Sequence, residues 1–478
     1  MLTDGDDGAN RPGCSHYADR ERSARPTVRM LVAIDGWRRH SLVQPGFQHP
    51  LQLHPCVVCA MSAFRVIRPC ALALLLIAIA RVAAAQEAPP PVESDGRALF
   101  AEPTLLTSIV DQAIRFHLTD DGDQDEGFYP KVGGMISGAG WISLGPGYRR
   151  NFFDGRARGD VHATVSWRAY LLGNATFEFP LLASGHLAAG AEALWQDSTQ
   201  VNYYGLGPDT PDVRAQYRLQ TTDVVMYARY RPRRWLAVGT RFGWLARPSV
   251  SSPTGPFQHA DTLDAQTAFP NDPAMTLAIQ PRFLHSEMAI TADNRNFPDH
   301  LTHGGLYRAS AGAYVADQSQ FSFNRYEVEG LQALPFLDRA LVIVLRGWGV
   351  FNQAPSTREV PVYLMPALGG ANTLRGYANF RFHDSNLLLA SVESRLAIFA
   401  HMDAALFVDS GTVAPRVGDL GLNNTVYGFG VRVHTHTATL ARVDVAHNRE
   451  GWGVLFRSSD AYNLDRLKQW VAAIPFVP

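Results

Sequence analysis

The sequence predicts an all-β chain, a transmembrane antiparallel β-barrel of about 16 strands with a short N-terminal helix. Three observations lead there. From about Gly127 onward, segments of about ten residues alternate apolar and polar positions and are punctuated by Gly, Asn, Asp and Pro clusters. No run of about 20 apolar residues exists to form a spanning helix. Charged residues make up only 18% of the 478 positions and aromatics reach 10%, against about 25% charge in ordinary soluble chains. Barrel strands hide their hydrophobicity in alternation, so such a chain can cross a membrane without a long apolar run. The formal net charge of −1 disfavours nucleic-acid binding through bulk positive charge, and no nucleic-acid partner is expected.

The longest apolar stretch, residues 71–80, follows Met61, Arg65 and Arg68 and leads into Ala83, Ala84 and Ala85 before Gln86. A charged start, a short apolar middle and a small-residue exit read as a secretory signal peptide over 61–85. The apolar part is too short to span a bilayer. Residues 1–60 then precede an export signal and are read as a start-site artefact or a disordered extension. All four cysteines, Cys14, Cys56, Cys59 and Cys70, lie upstream of Gln86, so the exported chain contains none. The CxxC of Cys56 and Cys59 has no second pair beside it, which leaves zinc and redox chemistry unsupported.

Residues 86–126 read as a periplasmic linker carrying one short helix. Leu105, Leu106, Ile109, Val110, Ala113 and Ile114 recur at helical spacing behind Pro103. This helix either plugs the barrel or, as the preferred reading, lies at the membrane surface or is disordered. At roughly 24 residues per strand and connection, the remaining chain gives about 16 strands, and closing such a sheet removes the edges that lipid cannot satisfy. The barrel is expected over 127–462, with a C-terminal tail over 463–478.

The clearest strand reads as one segment over 431–445. Its odd positions are Val431, Val433, Thr435, Thr437, Thr439, Ala441, Val443 and Val445, and its even positions include Arg432, His434, His436, Arg442 and Asp444. Residues 387–396 repeat the pattern, with Glu393 and Arg395 opposite Leu388, Ala390, Val392 and Leu396. In 403–409, Asp403, Ala405, Phe407 and Asp409 oppose Ala404, Leu406 and Val408, so the polar side chains share a lumen. Residues 341–350 are apolar on both faces except at Arg346, which fits a strand covered by a plug or inserted loop, or a crowded lumen.

Residues 366–413 contain Gly369 and Gly370, then Leu374-Arg375-Gly376-Tyr377, an E-x-R strand at Glu393 and Arg395, and Phe407-Val408-Asp409-Ser410-Gly411. With these motifs in this order the chain resembles the bacterial surface antigen family, the superfamily of outer-membrane barrels that includes BamA, TamA and the two-partner secretion transporters. Upstream, Asp293, Arg295 and the Gly304-Gly305 turn are similar to the family's strand-and-turn pattern. Tyr203-Tyr204-Gly205-Leu206-Gly207 resembles a segment of members without periplasmic domains.

The resemblance implies that the arginine motif tips a long extracellular loop folded back into the barrel, where the arginine meets an aromatic and acidic residues of the wall. Here those partners would be Glu393, Phe407 and Asp409, all placed by parity on the polar-containing face. A guanidinium pairs with a carboxylate through two parallel hydrogen bonds and stacks on a ring, so Arg375 has matching partners. Gly369, Gly370 and Gly411 are expected as turn glycines, and Gly376 as relief for the sharp turn behind the arginine. Residues 450–462 place Trp452, Val454, Phe456 and Tyr462 on one parity, like the family's closing strand and its aromatic-ended insertion signal. Tyr462 stands where Phe is usual, and 16 further residues follow it. The family's client-guiding members carry POTRA domains, for which residues 86–126 leave no room.

Other chemistry is weaker. Asp120, Asp121, Asp123, Asp125 and Glu126 suggest a calcium loop, but Gly127 comes one position late and no Glu closes the loop, so a solvated acidic turn fits better. His434 and His436 share a face without an obvious third ligand, and a polar lumen accounts for them. There is no G-x-S-x-G elbow or phosphate-cradling loop. The expectation is therefore a non-enzymatic protein of the bacterial outer membrane, without catalytic residues, metal or cofactor. Its partners would be outer-membrane lipid, the barrel-insertion machinery and an unknown client or periplasmic partner. A passive pore, and less so an outer-membrane hydrolase, remain alternatives.

Overall fold

A computed structural model describes residues 98–115, 126–133, 143–256, 262–272, 275, 280–354 and 360–464. The segment expected as a signal peptide, the four cysteines, the acidic run at 120–125 and most of the expected tail lie outside these described residues.

Helix α1 (Thr104–Arg115) is followed by β1 (Gly127–Gly133), β2 (Ser143–Phe152), β3 (Ala157–Ser166), β4 (Leu171–Leu182), β5 (Leu187–Tyr203), β6 (Ala215–Arg233) and β7 (Leu236–Ser251). A two-residue β8 (Leu263–Asp264), running parallel to β6, and the one-turn α2 (Ala265–Ala268) precede β9 (Phe283–Asp293), β10 (Gly304–Ala316), β11 (Phe323–Phe336) and β12 (Leu341–Gln353). A long connection holds the small hairpin of β13 (Ala367–Leu368) and β14 (Phe382–His383). The chain then returns through β15 (Asn386–Phe399), β16 (Met402–Ala414), β17 (Asn424–His434), β18 (Thr439–Asn448) and β19 (Gly451–Arg457). Leaving out β8, β13 and β14, the remaining 16 strands form one antiparallel meander in which each pairs with its neighbours along the chain. The meander curls into a transmembrane β-barrel, as the alternation predicts.

Burial along the strands is the inverse of a soluble protein's. On β16 the side chains of Asp403, Ala405, Phe407 and Asp409 are buried, while Leu406 is 67% and Val408 46% exposed. On β11 Arg325, Glu327 and Glu329 are buried between the exposed Tyr326 and Val328. Charged groups on the inner face and branched or aromatic groups on the outer one are what a lipid solvent selects.

The segment 431–445 is not one strand. It is the hairpin of β17 and β18, turning at 435–438. The sequence hides this turn because it contains no Gly, Asn, Asp or Pro: Thr435 supplies the turn chemistry, its hydroxyl accepting hydrogen bonds from the backbone N–H of Thr437 and Ala438. Face assignments survive on both sides, with Arg432, His434, Arg442 and Asp444 inward and Val431, Val443 and Val445 outward. His436 is exposed at the tip of the turn and does not share the buried face of His434.

Helix α1 buries Val110 and Ala113 and exposes Leu105, Ile109 and Ile114. Just before it, the N–H groups of Leu99 and Phe100 donate to Ala397 and Ile398, and Glu102 pairs with His401 at 2.9 Å. The N-terminal segment is thus tied to the turn joining β15 and β16.

Candidate functional site

The later part of the inner face of β12 is covered by the connection that follows it, whereas Val342 and Val344 pack with Leu301, Ala461, Tyr462 and Leu464. Trp348 and Val350 pack with Leu368, Leu374, Tyr377 and Phe382 in one buried cluster, so of the readings open for this strand the inserted loop is the one found. At its tip the loop closes on itself. Gly369 and Gly370 have φ of 115° and 98°, and the Thr373 hydroxyl bridges the N–H and carbonyl of Gly369 at 3.0 Å. A Cβ on Gly369 would stand 2.3 Å from the Ala378 carbonyl oxygen. These two are turn glycines. Gly411 is not: it lies within β16, opposite Leu389, where a Cβ would stand 2.6 Å from the Leu388 carbonyl oxygen of β15 and 3.1 Å from Leu368 of the loop. Its bare backbone provides close approach rather than a bend.

The tip presents Arg375 to the wall. Its Nε and Nη2 donate to the two carboxylate oxygens of Asp409 at 2.7 and 2.8 Å, its Nη1 donates to Glu393, and its guanidinium carbon lies 3.6 Å from the centroid of Phe407. The parity of β15 and β16 positions all three partners. Gly376, with φ of 90°, turns the chain away where a Cβ would meet Ala446 at 2.9 Å. Burial opposes the charge on Arg375, but Asp409, Tyr462 and Glu393 outweigh it and hold the guanidinium pKa well above its usual value.

The pairing extends well beyond this residue. Glu393 also accepts from Arg395 at 2.8 Å and from Arg432 at 3.0 Å; Arg432 and Arg442 reach Asp444, and Arg395 reaches Asp460. Four guanidinium groups (375, 395, 432, 442) thus face four carboxylates (393, 409, 444, 460), all buried, with no net charge. Buried ions are tolerable only in such compensation. Arg346 and Arg442 hold the loop backbone from the wall, donating to the carbonyls of Asn372 and Ala371 at 2.6 and 3.1 Å. Within the loop, Arg381 donates to Glu450 and Thr210, and the Gly207 N–H donates to the His383 carbonyl. The Tyr203–Gly207 segment therefore ends against the same loop.

Trp452, Val454 and Phe456 project outward from β19. Tyr462 does not belong with them. The strand ends at Arg457, the chain turns inward, and Tyr462 is buried beside Arg375, 3.4 Å from hydroxyl to Nη2. Asp460 enters with it, its carboxyl held below the usual range by Arg395 against the opposing effect of burial. Strand parity carries no information beyond the strand, so the inward role of these two residues had no sequence signal. The 293–305 pattern forms a compact corner in which Arg295 donates to Asp293 at 2.8 and 2.9 Å and the Gly305 N–H donates to Asn294.

Residues 284–448 match the Omp85 superfamily domain. Among solved structures, the chain is similar to BamA from Haemophilus ducreyi lacking POTRA domains 1-3, with 13% identity and a TM-score of 0.50, covering 73% of this chain and 77% of that one. CdiB from Acinetobacter baumannii (11% identity, TM-score 0.40, 69% of this chain and 58% of that one) and CdiB from Escherichia coli (10%, 0.42, 69% and 61%) are also similar. No curated protein matches the sequence. At these identities the solved structures bear on the fold alone.

Proposed function

We propose that this outer-membrane barrel, whose residues 284–448 match the Omp85 superfamily domain, works as the assembly and secretion barrels of that superfamily do and helps a protein or lipid substrate into or across the outer membrane without catalysing a reaction. The observation that supports this reading is the set of contacts that Arg375 makes with Asp409, Glu393 and Phe407, which would hold the loop in the lumen. A loop fastened in the lumen by a neutral buried network narrows the path that an open pore needs. A translocase needs a defined resting state from which the loop can be released. Recognition of the substrate would fall to a separate partner, and Trp452, Val454 and Phe456 of β19 would address the insertion machinery.

The test is quantitative proteomics of the outer membrane and culture medium after deletion of the gene. Selective loss of one or a few proteins supports assembly or transport and identifies the client. Unchanged levels, together with steady large single-channel currents from the purified wild type, would sink the reading in favour of the pore. Lipid-substrate turnover abolished by one Ser or His substitution would favour a hydrolase instead.

A further inference from the structure

The connection from β9 to β10 forms a second polar assembly at the end of the barrel that carries the β17–β18 turn. In sheet order five strands separate β10 from β18, yet Thr439 at the start of β18 donates to the Asp299 carbonyl from its N–H at 3.1 Å and from its hydroxyl at 2.8 Å. Asn463 donates to the Asp299 carboxylate at 2.8 Å. The connection thus crosses the mouth of the barrel. It lays His300 on His434, the last residue of β17, with ring centroids 3.7 Å apart and planes within 14°. Asp403 of β16 completes the group, and all three side chains are buried.

The tautomer of His434 follows from its partners. Its Nδ1 lies 2.9 Å from the Thr435 carbonyl, an acceptor only, so Nδ1 carries a proton. In the neutral ring Nε2 then turns a lone pair toward the Asp403 carboxylate oxygen 3.4 Å away, and it has no hydrogen-bond partner. His300 Nδ1 is also buried without a partner. Two imidazole nitrogens and a carboxylate oxygen, all buried, therefore lie within 4.8 Å of one another.

We propose that His300, Asp403 and His434 form a binding site for a divalent transition metal of the zinc type, which clamps the connection across the barrel mouth to β16 and β17. Two imidazoles with one carboxylate suit zinc at about 2.0–2.2 Å, with water as fourth ligand. All-oxygen sites suit calcium and magnesium, and thiolates suit cuprous copper, so this donor set argues against both. The carbonyl on Nδ1 of His434 is the kind of outer partner that fixes a metal-bound histidine. Binding requires the stacked rings to part, because parallel rings carry their in-plane lone pairs side by side rather than toward one ion.

The test uses the purified full barrel in detergent, stripped with a chelator and dialysed against zinc, with metal content measured per chain and cobalt substituted for its visible tetrahedral bands. One zinc per wild-type chain is expected, with affinity falling at least about tenfold in His300→Ala and in Asp403→Asn. His401→Ala, altering a neighbouring histidine that pairs with Glu102, should leave affinity unchanged. A readout that needs no variant is zinc protection of His300 and His434 from an imidazole-acylating reagent in the wild type. No bound zinc, no protection, or zinc that persists in the double variant His300→Ala/Asp403→Asn would overturn the proposal and leave an imidazolium–carboxylate pair.

Discussion

Tyr462 brings its hydroxyl within 3.4 Å of Arg375 Nη2, 87 residues earlier in the chain. The segment after the last strand therefore borders the arginine site. The Tyr462 ring lies 5.9 Å from the Arg375 guanidinium and 5.5 Å from that of Arg395, while Asp460 neutralises Arg395. Loop, wall and chain end are thus three parts of one charge-balanced core.

Replacing Tyr462 separates packing from hydrogen bonding. Tyr462→Phe loses one long hydrogen bond and should cost about 1 kcal/mol or less. Tyr462→Ala empties a fully enclosed site and should cost about 3–5 kcal/mol, as loss of a buried aromatic does. The midpoint of the heat-induced mobility shift on semi-native gels reads both. Equal midpoints for wild type and Tyr462→Ala would show that the chain end does not support the core.

Arg375 should be irreplaceable by lysine. A lysine restores the charge but not two parallel bonds to Asp409 or the flat face on Phe407. Arg375→Ala leaves Asp409 without its guanidinium, whereas Glu393 keeps Arg395 and Arg432. A broken buried pair costs about 3–5 kcal/mol. Asp409→Asn in the Arg375→Ala background should recover part of that loss, a coupling that a double-mutant cycle on protease resistance measures. Strictly additive losses would mean that the two residues do not act as a pair.

Most of this core is legible in the sequence through strand parity. Alternation assigns Glu393, Phe407, Asp409, Arg432, Arg442 and Asp444 to the polar-containing faces of their strands, because a strand side chain has only two directions to choose from. What parity cannot supply is where a strand stops. The 435–438 turn uses a threonine hydroxyl in place of a turn residue, so two strands read as one, and Gly411 reads as a turn although it makes room for Leu368. Contacts that cross the barrel, such as His300 on His434, join positions 134 residues apart and leave no local pattern.

The loop should respond to pH through Asp384, which is buried beside β14. Burial raises its carboxyl from 3.8 to about 6, against the pull of the Ser385 N–H. A raised acid binds its proton more tightly in the folded state, so its contribution falls as pH rises from about 4 to 6 and the penalty is complete above 6. Asp384→Asn removes that penalty. The variant should melt higher than wild type at pH 8, by an increment on the order of 3 kcal/mol, and match it closely at pH 4. A gain of the same size at both values would assign the effect to something other than titration.

Gly376 offers the sharpest test of the loop's seat, because conformation and space both exclude a side chain. At φ of 90° an L-residue is strained, and the added Cβ would stand 2.9 Å from Ala446 Cβ and 3.1 Å from Asn448 Nδ2 on β18. The backbone strain alone is about 1–2 kcal/mol, and relief requires the tip to back away from β18, which lengthens the bonds from Arg375 to Asp409. Gly376→Ala should therefore expose the loop to protease while leaving the strands intact. Gly418→Ala is the control, since a Cβ there meets nothing within 4 Å. If both variants resist digestion like the wild type, the tip is not held against β18 as tightly as its contacts require.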